Sequence, residues 1–187
     1  NEVRVTRMPL RKSRCSRRKP VAADDVDQQD LYKILAKATW REKTSLQDFS
    51  RPRANGIIAI DLRDNDQLIG VNITNGNSDV LLFSSGGKVI RFNESNVRAM
   101  GRTAAGVRGI KLPKGQSVIS LIIADEGDVL TATANGYGKR TKMDQYPVHG
   151  RGGQGVVSIQ ITERNGDVVG AVLVNEDNEI MLISDGG

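Results

Sequence analysis

An all-β array of repeated blades is the fold class this sequence predicts, and three observations predict it. A pattern of about 50 residues recurs three times, its apolar residues alternate or form short β-branched runs, and glycine-containing turns separate those runs. Units of this length stack or arrange radially, because one unit alone cannot bury its apolar face.

The elements of a unit can be taken in order. The stretches "TSLQDF…RANGIIAI" from Thr44, "FNESNV…TAAGVRGI" from Phe92 and "TKMDQY…RGGQGVVSI" from Thr141 superimpose. Each carries an apolar residue at its third or sixth position, then a basic loop, a glycine and an apolar strand. The glycines are Gly56, Gly106 and Gly155, spaced by 50 and 49 residues. Next come "QLIGVNI", "SVISLII" and "DVVGAVL", aligned on Gly70, Ser120 and Gly170. The last landmark is "DVLLFSSGGKVIRF", "DVLTATANGYGKRT" and "EIMLISDGG", aligned on Gly87, Gly136 and Gly187.

Val80–Phe83 and Val118–Ile122 have strand character, and Gly86-Gly87 and Asn135-Gly136 supply the positive φ of tight hairpins. Each unit therefore reads as about four short antiparallel strands joined by hairpins, the content of one propeller blade. The units span about 44–91, 92–140 and 141–187. The third stops in a hairpin turn at Asp185-Gly186-Gly187. Its returning strand is expected to be missing, which predicts about three blades, an open array and an unpaired edge.

Residues 1–43 do not fit the repeat. Eight of the first 20 are basic, which reads as a disordered arm, and Leu31, Ile34 and Leu35 have the spacing of one short helix around 27–38. This segment holds 12 Lys/Arg against 6 Asp/Glu, leaving 15 and 16 in 44–187. The net charge of +5 therefore belongs to the arm, and only the distribution of charge informs about the repeat.

That distribution is periodic. Arg51 and Arg53, Arg98 and Arg102, and Arg151 recur in the glycine loops, while Lys88, Arg91, Lys139, Arg140 and Lys142 recur on the last hairpin strand and just beyond it. Acidic residues fall elsewhere, in Asp61–Asp66, Asp125–Asp128, Glu163–Asp167 and Glu176–Glu179. If the blades are radial, equivalent cations line one rim and make a curved track for the phosphates of bent duplex DNA, without base reading. The alternative is that these are ordinary solvated strand ends.

The loop His149-Gly150-Arg151-Gly152-Gly153-Gln154-Gly155 contains a formal G-x-G-x-x-G pattern. A dinucleotide site needs a helix after those glycines and an acidic residue about 20 positions on; "VVSIQI" is a strand, so no cofactor is expected. A plain turn and a phosphate-contacting loop both remain open.

Catalysis finds little support. His149 and Cys15 are the only histidine and cysteine, so no metal site of these ligands can be built and no metal is expected. Tyr137 and Tyr146 lack a surrounding acid, base or metal carboxylates. "DLRDND" lacks the glycine and terminal glutamate of a calcium loop. The chain has neither a membrane-length apolar run nor a secretory h-region, so a cytoplasmic location is expected.

The stretches "SSGGKVIRFNESNVRAMGRTAAGVRGIKL", "LTATANGYGKRT" and "VSIQITERNGDVVGAV" closely resemble the C-terminal domain of the DNA gyrase A subunit, over about 43–187. The resemblance implies a β-pinwheel of six blades that wraps DNA around its outer rim, of which this chain would supply about three. It also implies a non-catalytic module of an ATP-dependent type IIA topoisomerase, the strand-cleaving tyrosine lying in another domain. The implied partners are duplex DNA, the remainder of gyrase A and the gyrase B subunit, in a bacterial, nucleoid-associated setting. The equivalent domain of topoisomerase IV is the nearest alternative, and a propeller-like protein-interaction scaffold is one of a different class.

Two departures qualify the resemblance. "LAKATWREKTSLQDF" rejoins the family pattern only at Lys43-Thr44. The family's Gln-Arg-Arg-Gly-Gly-Lys-Gly box, which belongs to its first blade, is matched in "HGRGGQG" only at Arg151, Gly152, Gly153 and Gly155, a degenerate echo in a later blade.

Overall fold

The computed structural model describes residues 3–8, 32–37, 40–51, 56–60, 62, 67–102, 104 and 106–184. In chain order the described strands are β1 (Val3–Met8), β2 (Tyr32–Lys37), β3 (Trp40–Ser45), β4 (Leu68–Thr74), β5 (Asp79–Ser84), β6 (Lys88–Asn93) and β7 (Val107–Arg108). They continue as β8 (Val118–Ile123), β9 (Asp128–Thr133), β10 (Gly138–Lys142), β11 (Val156–Val157), β12 (Val168–Val174) and β13 (Glu179–Ser184). Four sheets result, in the orders β4-β2-β3-β7, β8-β5-β6-β11, β12-β9-β10 and β13-β1. The paired strands are antiparallel throughout.

The expected strands around Val80–Phe83 and Val118–Ile122 are β5 and β8, and the expected hairpin turns close at Gly87 and Gly136, with φ of 75° and 81°. The pairing corrects the expectation of self-contained units. β7 lies between β6 and β8 in the chain yet pairs with β3, and β11 lies between β10 and β12 yet pairs with β6. Each outermost strand is thus lent to the preceding blade. A two-residue strand is too short for its alternation to show in sequence, and the repeat period is silent about which neighbour a strand joins.

Two further expectations change at the N-terminal side. The helix expected around 27–38 is replaced over Tyr32–Lys37 by β2, hydrogen-bonded to β3 on one side and β4 on the other. Residues 27–31 and 38 lie outside the described residues, as does most of the expected arm. The physical reason is that one isolated turn or two of helix is marginal in water, whereas this segment has a ladder partner at both edges. Part of the arm expected to be disordered is also a strand: β1 lies on β13 from Val3 opposite Ser184 to Met8 opposite Glu179. β1 packs beside β12 as β12 packs beside β8, so it takes on β13 the place that β8 takes on β5, and the other edge of β13 has no strand partner among the described residues.

The core forms between sheets. β5 reads Asp-Val-Leu-Leu-Phe-Ser without polar interruption because both of its faces are covered. Val80 and Leu82 join Ile90, Phe92, Val97, Ile110 and Val118 in one cluster, against which Ile69 of β4 packs. Leu81 and Phe83 join Val89, Ile122, Val129, Tyr146 and Ala171 in another. The second sheet is therefore clasped between the first and the third, and the strands β4, β8 and β12 form the inner end of each blade.

Candidate nucleic-acid interface

The inner strands β4 (LIGVNIT), β8 (VISLII) and β12 (VVGAVLV) carry no lysine or arginine. Every described cation of the predicted set lies on β6, on β10 or in the excursions around the glycine loops that lead to an outermost strand. Local sequence accounts for this: β8 and β12 are covered by neighbouring strands and are built from apolar and small residues, β4 keeps Leu68, Val71 and Ile73 exposed on the flank away from β8, and the outer strands end in water.

The structure sorts the predicted residues into three kinds. Arg51, Arg98 and Lys142 are exposed, and Lys88 is partly exposed; none of their side chains has a hydrogen-bond or ion-pair partner among the described residues. These four can meet phosphate without first breaking a contact. Lys88 lines a groove with Lys111, Leu112, Pro113 and Gln154, and Arg51 lines another with Gln47, Asp48, Ser50, Gly56, Ile57, Ile58 and Arg102.

A second kind keeps its charge but spends donors on backbone carbonyls. Arg102 Nη1 donates to the Ile58 carbonyl at 3.0 Å, and Lys139 Nζ to that of Ser158 at 3.3 Å. Arg151 donates from Nε to the Asn96 carbonyl at 2.8 Å and from Nη1 to the Arg108 carbonyl at 3.3 Å.

The third kind is neutralised. Arg91 pairs with Asp79 at 2.8 Å and donates from Nη1 to the carbonyls of Met143 and Tyr146, which ties β6 to the next blade. Arg140, one repeat later, pairs with Asp128 at 2.6 Å and Glu176 at 2.5 Å. Glu176 first and Asp128 second hold its guanidinium above the ordinary arginine value. Both are better explained as cross-strand pairs than as phosphate contacts. Arg53 lies outside the described residues.

Sequence reasoning missed Lys111 and Lys114, both exposed in the "KLPKG" turn beyond β7. The signal that could have found Lys111 is its nearness to Gln154, visible only once blades are assembled: the Lys111 N–H donates to the Gly153 carbonyl at 2.8 Å.

The loop 149–155 is an inter-blade joint. The His149 N–H donates to the Arg91 carbonyl at 2.8 Å and the Gly152 N–H to the Gly109 carbonyl at 2.6 Å. Gly155 has φ of 70°, and a Cβ placed on it would stand 2.3 Å from the Val89 carbonyl oxygen. Gly106 and Gly56, one and two repeats earlier, share that positive φ at 80° and 78°. A β-strand, β11, follows Gly155 at once. Gly155 therefore serves close packing of backbone on backbone, whereas a Cβ on Gly150 would meet nothing within 4 Å, and Arg151 is the member of the loop that carries charge.

Neither Tyr137 nor Tyr146 sits in a reactive setting. Tyr146 is buried, edge-on to Phe83 with ring centroids 5.9 Å apart, its hydroxyl 2.8 Å from Ser158 Oγ. Tyr137 lies under the Arg164 guanidinium, 5.0 Å from the ring centre, and accepts a hydrogen bond from Arg164 Nε at 2.8 Å. Among the described residues, no helix is long and apolar enough to cross a membrane.

Comparison with known proteins gives a consistent result. The family described as DNA gyrase C-terminal domain, beta-propeller, matches residues 43–75, 78–125 and 127–175. The chain is 60% identical to the DNA gyrase A subunit of Salmonella typhimurium (strain LT2) over 159 residues, covering 84% of this chain and 18% of that protein. It is 54% identical to the DNA gyrase A subunit of Escherichia coli (strain K12) over 147 residues, covering 78% of this chain and 17% of the other. The chain thus spans less than a fifth of the length of these relatives. Among solved structures, a DNA gyrase A C-terminal domain superposes with a TM-score of 0.70 at 30% identity, covering 79% of this chain and 50% of that one. The C-terminal domain of a DNA topoisomerase IV superposes at 0.75 over 90% of this chain and 55% of the other; at 24% identity this likeness speaks for the fold.

Proposed function

Because this chain belongs to the family of DNA gyrase C-terminal domains, we propose that it is a DNA-binding and DNA-wrapping module of a gyrase A subunit, without catalytic chemistry of its own. The observation that carries this reading is the segregation of cations. They are absent from β4, β8 and β12, the inner strands of the three repeats, and return, repeat after repeat, on the outer strands and inter-blade loops. A duplex laid along that rim has its phosphates neutralised in turn, and counter-ion release supplies the affinity. Bending a site of 20–30 base pairs by 40–90° costs on the order of 1–6 kcal/mol, so several blades must contribute contacts before curvature is favourable.

In the parent enzyme the module would curve a DNA segment and present it to the remainder of gyrase A, working with the gyrase B subunit in the bacterial cytoplasm. The tyrosine that cleaves DNA would lie outside this chain; the burial of Tyr146 and the Arg164 contact of Tyr137 support that assignment.

The test is charge reversal at the cations that carry no other duty. In a chain bearing Arg51→Glu, Arg98→Glu and Lys142→Glu together, the slope of log K against log salt is expected to become shallower by at least roughly 0.9 for each phosphate no longer neutralised. Measured by fluorescence anisotropy on a duplex, an unchanged slope and affinity would remove the site assignment. Absence of binding by the unmodified chain at low salt would favour the protein-interaction scaffold instead.

A further inference from the structure

We propose that Arg102 and Arg151 are blade-coupling residues, each a tether between its own blade and the loop backbone of the blade before it. Arg102 stands four residues before Gly106, and Arg151 four before Gly155. Their Nη1 acceptors also share one repeat position: the Ile58 carbonyl is two residues after Gly56, and the Arg108 carbonyl two after Gly106. One contact therefore appears at two successive junctions, which chance side-chain placement would not produce. At the second junction Arg151 Nε adds the Asn96 carbonyl, so a single planar fork bridges β7 and the turn after β6.

The same junctions are stitched by backbone at matching positions. The Met100 N–H donates to the Lys43 carbonyl at 2.7 Å, and the His149 N–H to the Arg91 carbonyl at 2.8 Å. An arginine suits this place because its guanidinium offers several donors in a fixed plane, whereas a lysine ammonium is a point donor on a flexible stem. Carbonyl acceptors leave the positive charge unneutralised, so the coupling residues still add to the rim potential. The tether holds whatever the rim binds. Its consequence, that it sets the angle at which successive stretches of the rim meet, rests on the DNA-wrapping reading.

The experiment compares Arg151→Lys and Arg151→Gln in the full chain. Native-state hydrogen exchange at the Lys111 and Gly152 amides, which cross this junction, is expected to quicken roughly tenfold in both variants, while the amides of Leu81–Phe83 stay unchanged. With a bound duplex, Arg151→Lys is expected to reduce the bend angle measured by end-to-end energy transfer. A residue acting only on phosphate gives the opposite pattern: Arg151→Lys matches the unmodified chain in exchange and bend, and only Arg151→Gln lowers the salt slope. That result overturns the proposal. Failure of the unmodified chain to bind DNA would sink the wrapping reading alone, because the exchange measurement still decides the tether.

Discussion

Replacement of Glu94 by alanine is expected to lower stability by about 3–5 kcal/mol, the cost typical of removing one partner from a buried ion pair. Glu94 is fully buried although it follows an outer strand. Its carboxylate accepts from Thr74 Oγ1 at 2.7 Å and from the Ser78 N–H at 2.7 Å, and lies 3.4 Å from Lys43 Nζ. Lys43 and Thr74 belong to the first sheet, whereas Glu94 continues the second. The substitution therefore withdraws an acceptor shared by three donors and loosens the junction between two blades. Urea denaturation of Glu94→Ala and Glu94→Gln reads this directly. Glutamine restores a neutral acceptor for Thr74 but no charge for Lys43, so it should fall between alanine and the unmodified chain. A cost below about 0.5 kcal/mol for alanine, the range of ordinary surface changes, would contradict the burial of this cluster.

Gly155→Ala is the second large effect, with an expected loss of roughly 3 kcal/mol from two sources. The left-handed backbone costs an L-residue about 1–2 kcal/mol, and the new methyl group meets the Val89 carbonyl at 2.3 Å, a backbone atom that cannot swing aside. Gly136→Ala separates the two contributions. Its φ is 81°, but nothing lies within 4 Å of the added Cβ, so only the conformational part remains. Thermal melting should therefore rank Gly155→Ala well below Gly136→Ala. Equal melting temperatures would show that β6 and the 149–155 loop do not pack as described.

Most of the fold is legible in the repeat. Val80–Phe83 announces a strand buried on both faces, and Gly56, Gly106 and Gly155 announce equivalent loops because only a shared backbone need repeats a glycine at that spacing. What stays hidden is relational. The pairing of β7 with β3 and of β11 with β6 joins segments 66–69 residues apart, and two-residue strands carry no alternation to reveal it. Residues 32–37 look helical because Leu31, Ile34 and Leu35 are spaced for it, and only the presence of β3 and β4 on either side makes a strand the better state.

The candidate interface is legible as a set and not member by member. Composition and period locate the cations on the outer elements, but Arg91 and Arg140 carry carboxylate partners about a dozen positions upstream, across a hairpin. Position in sequence does not distinguish an arginine that faces Asp79 from one that faces solvent, as Arg98 does. Arg102 and Arg151 hold a third place, charged yet engaged with backbone, that no pattern of residue types foretells.

If the chain is a wrapping module, its rim must curve duplex DNA as well as attract it. Closure of a nicked plasmid by ligase in the presence of the chain measures this, since DNA wound about a protein at the moment of sealing leaves a permanent change in linking number. The expected result is a topoisomer distribution that shifts in one direction in proportion to added protein, with a smaller shift for the Arg51→Glu, Arg98→Glu, Lys142→Glu chain. A distribution that stays centred on the relaxed product while the protein is demonstrably bound would contradict wrapping.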